Sequence, residues 1–247
     1  MTETLAKALA LQDHEMVCVV GGGGKTTMVF SLAAEAQALG HPAAVTTTTK
    51  MGAEETGGLL TVEGSEPLPD GLVLRWVGEV QGHRVVGRTP EEIDACFAER
   101  VGWMLVEADG SRRHPVKAPA AHEPVIPQAA TVVVLSMGLD ALGKSLAEAA
   151  HRPEVAAALL GVSQEATVTP ELLAILATDA FGGRKCLPPE ARFVVALTKV
   201  TEERRAEAGR LAGLAHALPR ARRISPTTHA LTHTHTRCDH RRPAVPH

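Results

Sequence analysis

Met16-Val17-Cys18-Val19-Val20-Gly21-Gly22-Gly23-Gly24-Lys25-Thr26-Thr27 is the stretch that decides the fold. An unbroken apolar run of this length reads as a strand buried on both faces, as in a parallel sheet. Beyond the glycines, Val29, Leu32, Ala33, Ala36 and Leu39 recur at helical spacing as far as Gly40, a natural C-terminal stop. Ala43-Ala44-Val45-Thr46-Thr47 is a second strand. Strand, glycine-rich loop, helix and strand make a βαβ unit. In that setting the loop reads as a phosphate cradle. Glycines let backbone amides turn inward, and the following helix N-terminus adds partial positive charge. Gly21, Gly22, Gly23, Gly24, Lys25, Thr26 and Thr27 are the expected nucleotide-binding residues. Lys25 is expected to stand exposed and reach the β- and γ-phosphates, and the Thr26 hydroxyl to face Mg²⁺. The usual spacing GxxxxGK[ST] wants glycine where this chain has Val19.

Outward from this unit the alternation continues. Thr89-Pro90-Glu91-Glu92 starts a capped helix that runs to about Arg100. Trp103–Val106, Thr131–Leu135 and Phe193–Leu197 are further strands, and helices begin at Thr169-Pro170 and at Thr201. Residues 1–14 read as a short amphipathic helix. Alternating strands and helices mean an α/β fold with a mostly parallel sheet. Residues 52–88 interrupt the pattern with short β-prone pieces and a Gln81-Gly82 turn, a small β-rich insertion or sheet extension.

Three other segments carry candidate chemistry. Val106-Glu107-Ala108-Asp109-Gly110 ends an apolar strand with two acids on one face, the place for a carboxylate that holds Mg²⁺. Glu107 and Asp109 are both candidate metal ligands. Thr46-Thr47-Thr48-Thr49 ends the second strand, where its hydroxyls either face a ligand or simply fill a strand. The Pro-rich loop 111–127 follows the acidic strand end and is dense in Arg, Lys, His and Glu. From it Arg112 and Lys117 are candidates to meet transferring phosphate or a second anionic substrate. With Lys25 and Asp109 they form the expected catalytic set.

The glycine loop, Thr46-Thr-Thr-Thr-Lys-Met51, Glu107-Ala-Asp-Gly-Ser-Arg-Arg113, Pro115-Val-Lys-Ala-Pro-Ala-Ala-His-Glu-Pro-Val-Ile-Pro127 and His151-Arg-Pro-Glu154 resemble the YqeC family over about residues 10–200. That resemblance implies a P-loop NTPase-like, three-layer fold. It also implies a role in maturing a selenium-containing molybdenum cofactor, as an accessory to selenium-dependent molybdenum hydroxylases. Expected ligands are therefore Mg²⁺ and ATP or another NTP, and expected partners the molybdenum cofactor or a hydroxylase client. The reaction is read as NTP hydrolysis or phosphoryl transfer, with a nucleotide-switched insertion chaperone or a small-molecule kinase as alternatives. Where a guanine reader carries Asn-Lys-x-Asp, this chain has Thr198-Lys199-Val200-Thr201, so neither guanine-reading side chain is present.

Composition sets the outer limits. Of the 247 residues, 45% are hydrophobic, enough for a full core without disulfides. Aromatic residues are only 2%, too few for a base-stacking platform. The net charge of −3 hides a basic end: residues 219–247 hold six Arg against one Asp, so the rest is strongly acidic and poorly suited to nucleic acid. That Arg/His/Thr/Pro segment reads as a disordered low-complexity tail after a P-loop NTPase-like domain over 1–218. The four widely spaced Cys contain no CxxC pair and read as reduced thiols. Without a basic leader or an apolar span of about 18–20 residues, a cytoplasmic protein with no membrane contact is expected.

Overall fold

The computed structural model describes residues 4–64, 68–100, 102–217, 224–225 and 231–235. The chain opens with a short helix α1 (Leu5–Ala8). The expected longer helix stops because Ala10 turns to φ 50°, which tucks fully buried Leu9 under the sheet. The βαβ unit follows as read: β1 (Glu15–Gly21), α2 (Lys25–Leu39) and β2 (Ala43–Thr47). Next come β3 (Lys50–Gly52), β4 (Leu60–Glu63), β5 (Val73–Val77), β6 (Glu79–Gln81) and β7 (Arg84–Val86). Helix α3 (Pro90–Glu99) carries the complete capping box between Thr89 and Glu92. It leads into β8 (Trp103–Glu107), whose exit loop contains the short β9 (Val116–Lys117). After β10 (Val132–Gly138) lie α4 (Leu146–Ala149), β11 (Ala150–His151), α5 (Pro153–Leu160) and α6 (Pro170–Thr178). Strand β12 (Arg192–Thr198) and helix α7 (Arg205–Ala217) follow.

Seven strands form a parallel sheet in the order β12-β10-β1-β8-β2-β5-β4. Alternation along the buried strands divides the core in two. Val17, Val19, Leu105, Val134 and Val194 pack with α1 and α2 on one face. Met16, Cys18, Met104, Val133 and Phe193 pack with α3 and α4 to α7 on the other. The result is a three-layer α/β fold of P-loop NTPase type. Segment 52–88 is both things its sequence allowed. Strands β4 and β5 extend the main sheet in parallel, whereas β3, β7 and β6 form a separate antiparallel sheet beyond the end of β2. The Gln81-Gly82 turn joins β6 to β7, with Gly82 at φ 58°.

Most of 219–247 lies outside the described residues, and with it most of the tail expectation. Within it β13 (Ile224–Ser225) and β14 (Leu231–His235) are short strands, the latter antiparallel to β12. Cys18, Cys96 and Cys186 are free thiols, and among the described residues no helix is long and apolar enough to cross a membrane.

Candidate functional site

The parallel register brings the C-terminal strand ends level: Val19 pairs Glu107, Glu107 pairs Thr47, and Gly21 pairs Ser136. On leaving β1 the chain goes to β2 on one side; on leaving β8 it goes to β10 on the other. Loops diverge there and open a cleft, the usual ligand position in such sheets.

The glycine loop is shaped by what packs on it. Gly21, Gly23 and Gly24 have φ of 91°, 74° and 113°, values that disfavour any side chain. Gly22 is there for lack of space: a Cβ would lie 2.7 Å from the His114 carbonyl oxygen and 2.9 Å from Pro115. The loop is pinned from below. The Gly21 amide donates to Asp109 Oδ2 at 3.1 Å and the Gly22 amide to the Ser136 carbonyl at 2.9 Å. The Ser136 and Thr198 hydroxyls both donate to the Gly23 carbonyl. Among the described residues, no acceptor meets the amides of Gly23, Gly24, Lys25 and Thr26, which open the N-terminus of α2.

Lys25 is buried, contrary to its expected exposure. Its Nζ donates to the Gly21 carbonyl at 2.8 Å and to Ser111 Oγ at 3.0 Å, and lies 3.3 Å from Asp109 Oδ1. A side chain at the first position of a helix points back over the loop, and a buried carboxylate beneath it supplies a partner. Asp109 is shared: its Oδ2 is also 3.2 Å from Lys117 Nζ. Lys117 in turn donates to the Gly110 carbonyl at 2.6 Å and pairs with Glu123 at 3.0 Å, and Glu123 pairs with Arg152 at 2.6 Å. Thus Lys117, one of the expected catalytic cations, stands under the loop and outside the cleft. Burial alone would push the Glu123 carboxyl up. The Lys117 hydrogen bond, the Ala120 amide and the charges of Lys117 and Arg152 outweigh it and hold the pKa at about 2.

Thr26 and Glu107 come together as expected: the Thr26 hydroxyl donates to Glu107 Oε2 at 2.7 Å. Burial pushes the Glu107 carboxyl up, against the opposing pull of Lys25 and Thr26. This hydroxyl–carboxylate pair suits Mg²⁺, which binds through few protein oxygens and keeps waters and phosphates for its other positions. Asp109 is less suited, since each of its oxygens already faces an ammonium group. Of the threonines at the end of β2, Thr47 Oγ1 donates to the Glu107 carbonyl at 2.7 Å and Thr48 Oγ1 to the Val125 carbonyl at 2.7 Å. Their role is therefore to tie strand ends together.

The cleft above these groups has a volume of about 650 Å³. Gly23 to Thr27 form its floor, and Glu107 stands beside it. Arg112 and Arg113 line it from the loop after β8, Lys50 and Arg84 from the β3–β7 sheet, and Lys199 from the end of β12. Arg112 and Arg113 both sit in the left-handed region, at φ 48° and 65°, a strained conformation that concentrates at functional sites. Sequence reading found Arg112 but missed Arg113 beside it, and missed Lys50 and Arg84 because no periodicity places the β3–β7 sheet over the glycine loop. It also missed Ser111, Glu123 and Arg152 as supports; Arg152, at φ 66° before Pro153, was visible only as part of a motif.

A three-layer parallel sheet whose first strand runs through a glycine loop into a helix, with Lys-Thr at its start and an acidic neighbouring strand end, defines the class of P-loop NTPase-like α/β proteins. Within that class the chain belongs to the YqeC family, whose model, described as "YqeC protein", matches residues 17–154. "Uncharacterized protein YqeC" of Escherichia coli (strain K12) is 35% identical over 189 residues, covering 72% of this chain and 73% of that protein. No solved structure matches the chain.

Proposed function

We propose that the chain binds a Mg²⁺–nucleoside triphosphate at Gly21–Thr27 and hydrolyses it or transfers its terminal phosphoryl group, in the service of maturing the selenium-containing molybdenum cofactor of molybdenum hydroxylases. The observation that carries the nucleotide part is the Thr26–Glu107 pair, 2.7 Å apart beside the loop amides of Gly23 to Thr26, which among the described residues meet no acceptor. Amides and helix N-terminus bind phosphate oxygens, and the cations at the cleft mouth, Arg112 among them, meet charge that develops on transfer. Thr26 and Glu107 hold Mg²⁺, which when bound neutralises charge on the β- and γ-phosphates. Lys25 leaves Ser111, the Gly21 carbonyl and Asp109 to reach a phosphate. What supports the cofactor role is the resemblance of the sequence motifs to the YqeC family.

A specific observation favours a second reading, the nucleotide-switched insertion chaperone. Lys25, Asp109, Lys117, Glu123 and Arg152 form one chain of ion pairs from the glycine loop into loop 111–127. Recruiting Lys25 to a phosphate removes a partner from Asp109 and so reaches the loop. Calorimetry with MgATP, followed by turnover with and without a molybdenum hydroxylase, tests both. No binding overturns the nucleotide site. Slow turnover stimulated by the client selects the switch, and a phosphorylated small product selects the kinase.

A further inference from the structure

The wall that faces the glycine loop across the cleft belongs to the β-rich insertion, not to the parallel sheet. Strands β3 and β7 give this wall two unlike faces. Met51 and Val85, paired in register, are buried with Val77 against Phe30 of α2. Alternation then turns Lys50 and Arg84 to the other face, where both are exposed and line the cleft. Gly52 pairs with Arg84, so no side chain stands across from Arg84 on that face. The wall is tied down at both strands. Buried Arg75 donates to the Ala53 and Glu55 carbonyls at 3.1 Å each, and the Gly87 and Arg88 amides donate to the Thr49 and Thr47 carbonyls at 2.7 and 2.8 Å.

With Arg112 and Arg113 from the other side, Lys50 and Arg84 bring four cations to one cleft. None of them makes an ion pair among the described residues. Acids are at hand, since Glu54, Glu55 and Glu107 line the same cleft, yet they do not neutralise these cations. Glu55 Oε2 instead accepts from the Gly52 amide at 3.1 Å, and Glu107 Oε2 from the Thr26 hydroxyl. Unpaired like charges around a concave surface repel one another and draw in an anion.

Resting on the nucleotide reading above, we infer that Lys50 and Arg84 form a second anion subsite, which holds a phosphate-bearing small molecule alongside the nucleotide. In that reading the loop amides, Lys25 and Mg²⁺ answer the phosphates of the nucleotide on the cleft floor, and the insertion wall is left for another ligand. The cleft volume of about 650 Å³ lies in the range of about 300–1,000 Å³ usual for small-molecule sites. A guanidinium fork beside an ammonium suits a phosphate group, the first by paired hydrogen bonds and the second as a point charge.

Calorimetric titration of the full chain with inorganic pyrophosphate tests this. The protein is first saturated with Mg²⁺ and a fluorescent, non-hydrolysable ATP analogue, whose release is followed by its emission. Wild type is compared with the double variant Lys50→Ala, Arg84→Ala. Both side chains are exposed, so the apolar face against Phe30 is untouched, and analogue binding reports that the variant is folded. Pyrophosphate should bind the loaded wild type without releasing the analogue. The variant should lose at least about tenfold of that affinity while its affinity for the analogue changes by less than about threefold. Pyrophosphate that binds only as the analogue leaves overturns the subsite, as does a variant that binds pyrophosphate like the wild type. Equal losses for both ligands overturn it too, and make the wall part of the nucleotide's own seat. A protein that holds the analogue and takes up no pyrophosphate overturns this inference and leaves the nucleotide reading standing. If the analogue itself does not bind, the nucleotide reading falls and this inference with it.

Discussion

A single methyl group separates a working glycine loop from a displaced one. At Gly22 it would press on the backbone of His114 and Pro115, which has no flexible end to give way. Gly22→Ala should therefore lower stability by about 1–3 kcal/mol and weaken nucleotide binding together, checked by urea unfolding and calorimetry on the same variant. Glu107 gives the opposite kind of effect. Glu107→Gln keeps the shape and an acceptor for the Thr26 hydroxyl but removes the charge proposed to attract Mg²⁺. Nucleotide affinity with Mg²⁺ should fall by about tenfold or more, while affinity in EDTA holds or rises, because a carboxylate next to phosphate repels it. Equal losses in both media would assign Glu107 a structural role. Lys25 cannot be treated so simply. Removing it leaves the buried carboxylate of Asp109 with Lys117 and the Gly21 amide as its neighbours, so stability is lost along with affinity.

Loop 111–127 is the element in which support and chemistry are divided. Its base is the ion-pair chain of buried Asp109, Lys117 and Glu123 with half-buried Arg152, and its exposed turn is Arg112-Arg113. For the base, Glu123→Gln should cost about 3–5 kcal/mol at neutral pH, the usual penalty for breaking a buried pair. The Glu123 pKa is held at about 2 against an ordinary value of 4.5, so its contribution is complete above about 4.5 and disappears as pH falls through about 2. Unfolding curves of the two proteins should accordingly converge over that window, and a gap independent of pH would refute the ion-pair account. For the turn, Arg112→Gly relieves a left-handed residue, so the melting temperature should hold or rise. Turnover should nevertheless fall about tenfold or more with KM nearly constant if, as proposed, the guanidinium acts mainly on charge that develops in transfer. A variant that is stabilised and fully active would make the turn a docking surface or an inert linker.

Across the whole molecule the two ends of the sheet do different work. The C-terminal ends carry the cleft, with its strained residues and open amides. At the opposite end Glu15, at the start of β1, pairs with Arg192 of β12 at 2.6 Å and accepts from the Thr131 hydroxyl beside β10. These contacts clamp neighbouring strands far from any ligand. Glu15→Gln should therefore lower stability by about 3–5 kcal/mol yet leave nucleotide affinity unchanged well below the melting temperature. Loss of affinity in the folded variant would mean that the clamp sets the register of the strand ends. The antiparallel β3–β7–β6 sheet belongs to the functional end, because it brings Lys50 and Arg84 over the loop.

The strands were legible because a strand buried on both faces must be apolar throughout. Met16–Val20, Ala43–Thr47 and Trp103–Val106 needed nothing else to be read, and the glycine loop between the first strand and a helix has few other meanings. Thr26 and Glu107 could be paired from sequence because both sit at positions that the fold class makes adjacent. The tertiary structure decided which cation faces which way. Lys25 and Lys117 are equally charged in the sequence, yet Lys25 folds back over the loop onto Asp109 and lines the cleft, whereas Lys117 turns beneath the loop between Asp109 and Glu123. Arg112 and Arg113 point into the cleft because the backbone turns left-handed after Ser111. Short-range patterning fixes the periodic elements through burial. The direction of a long charged side chain depends on where buried charge of the opposite sign lies, and for Lys25 that is known only once the glycine loop has met Asp109 and Ser111, the latter 86 residues further on.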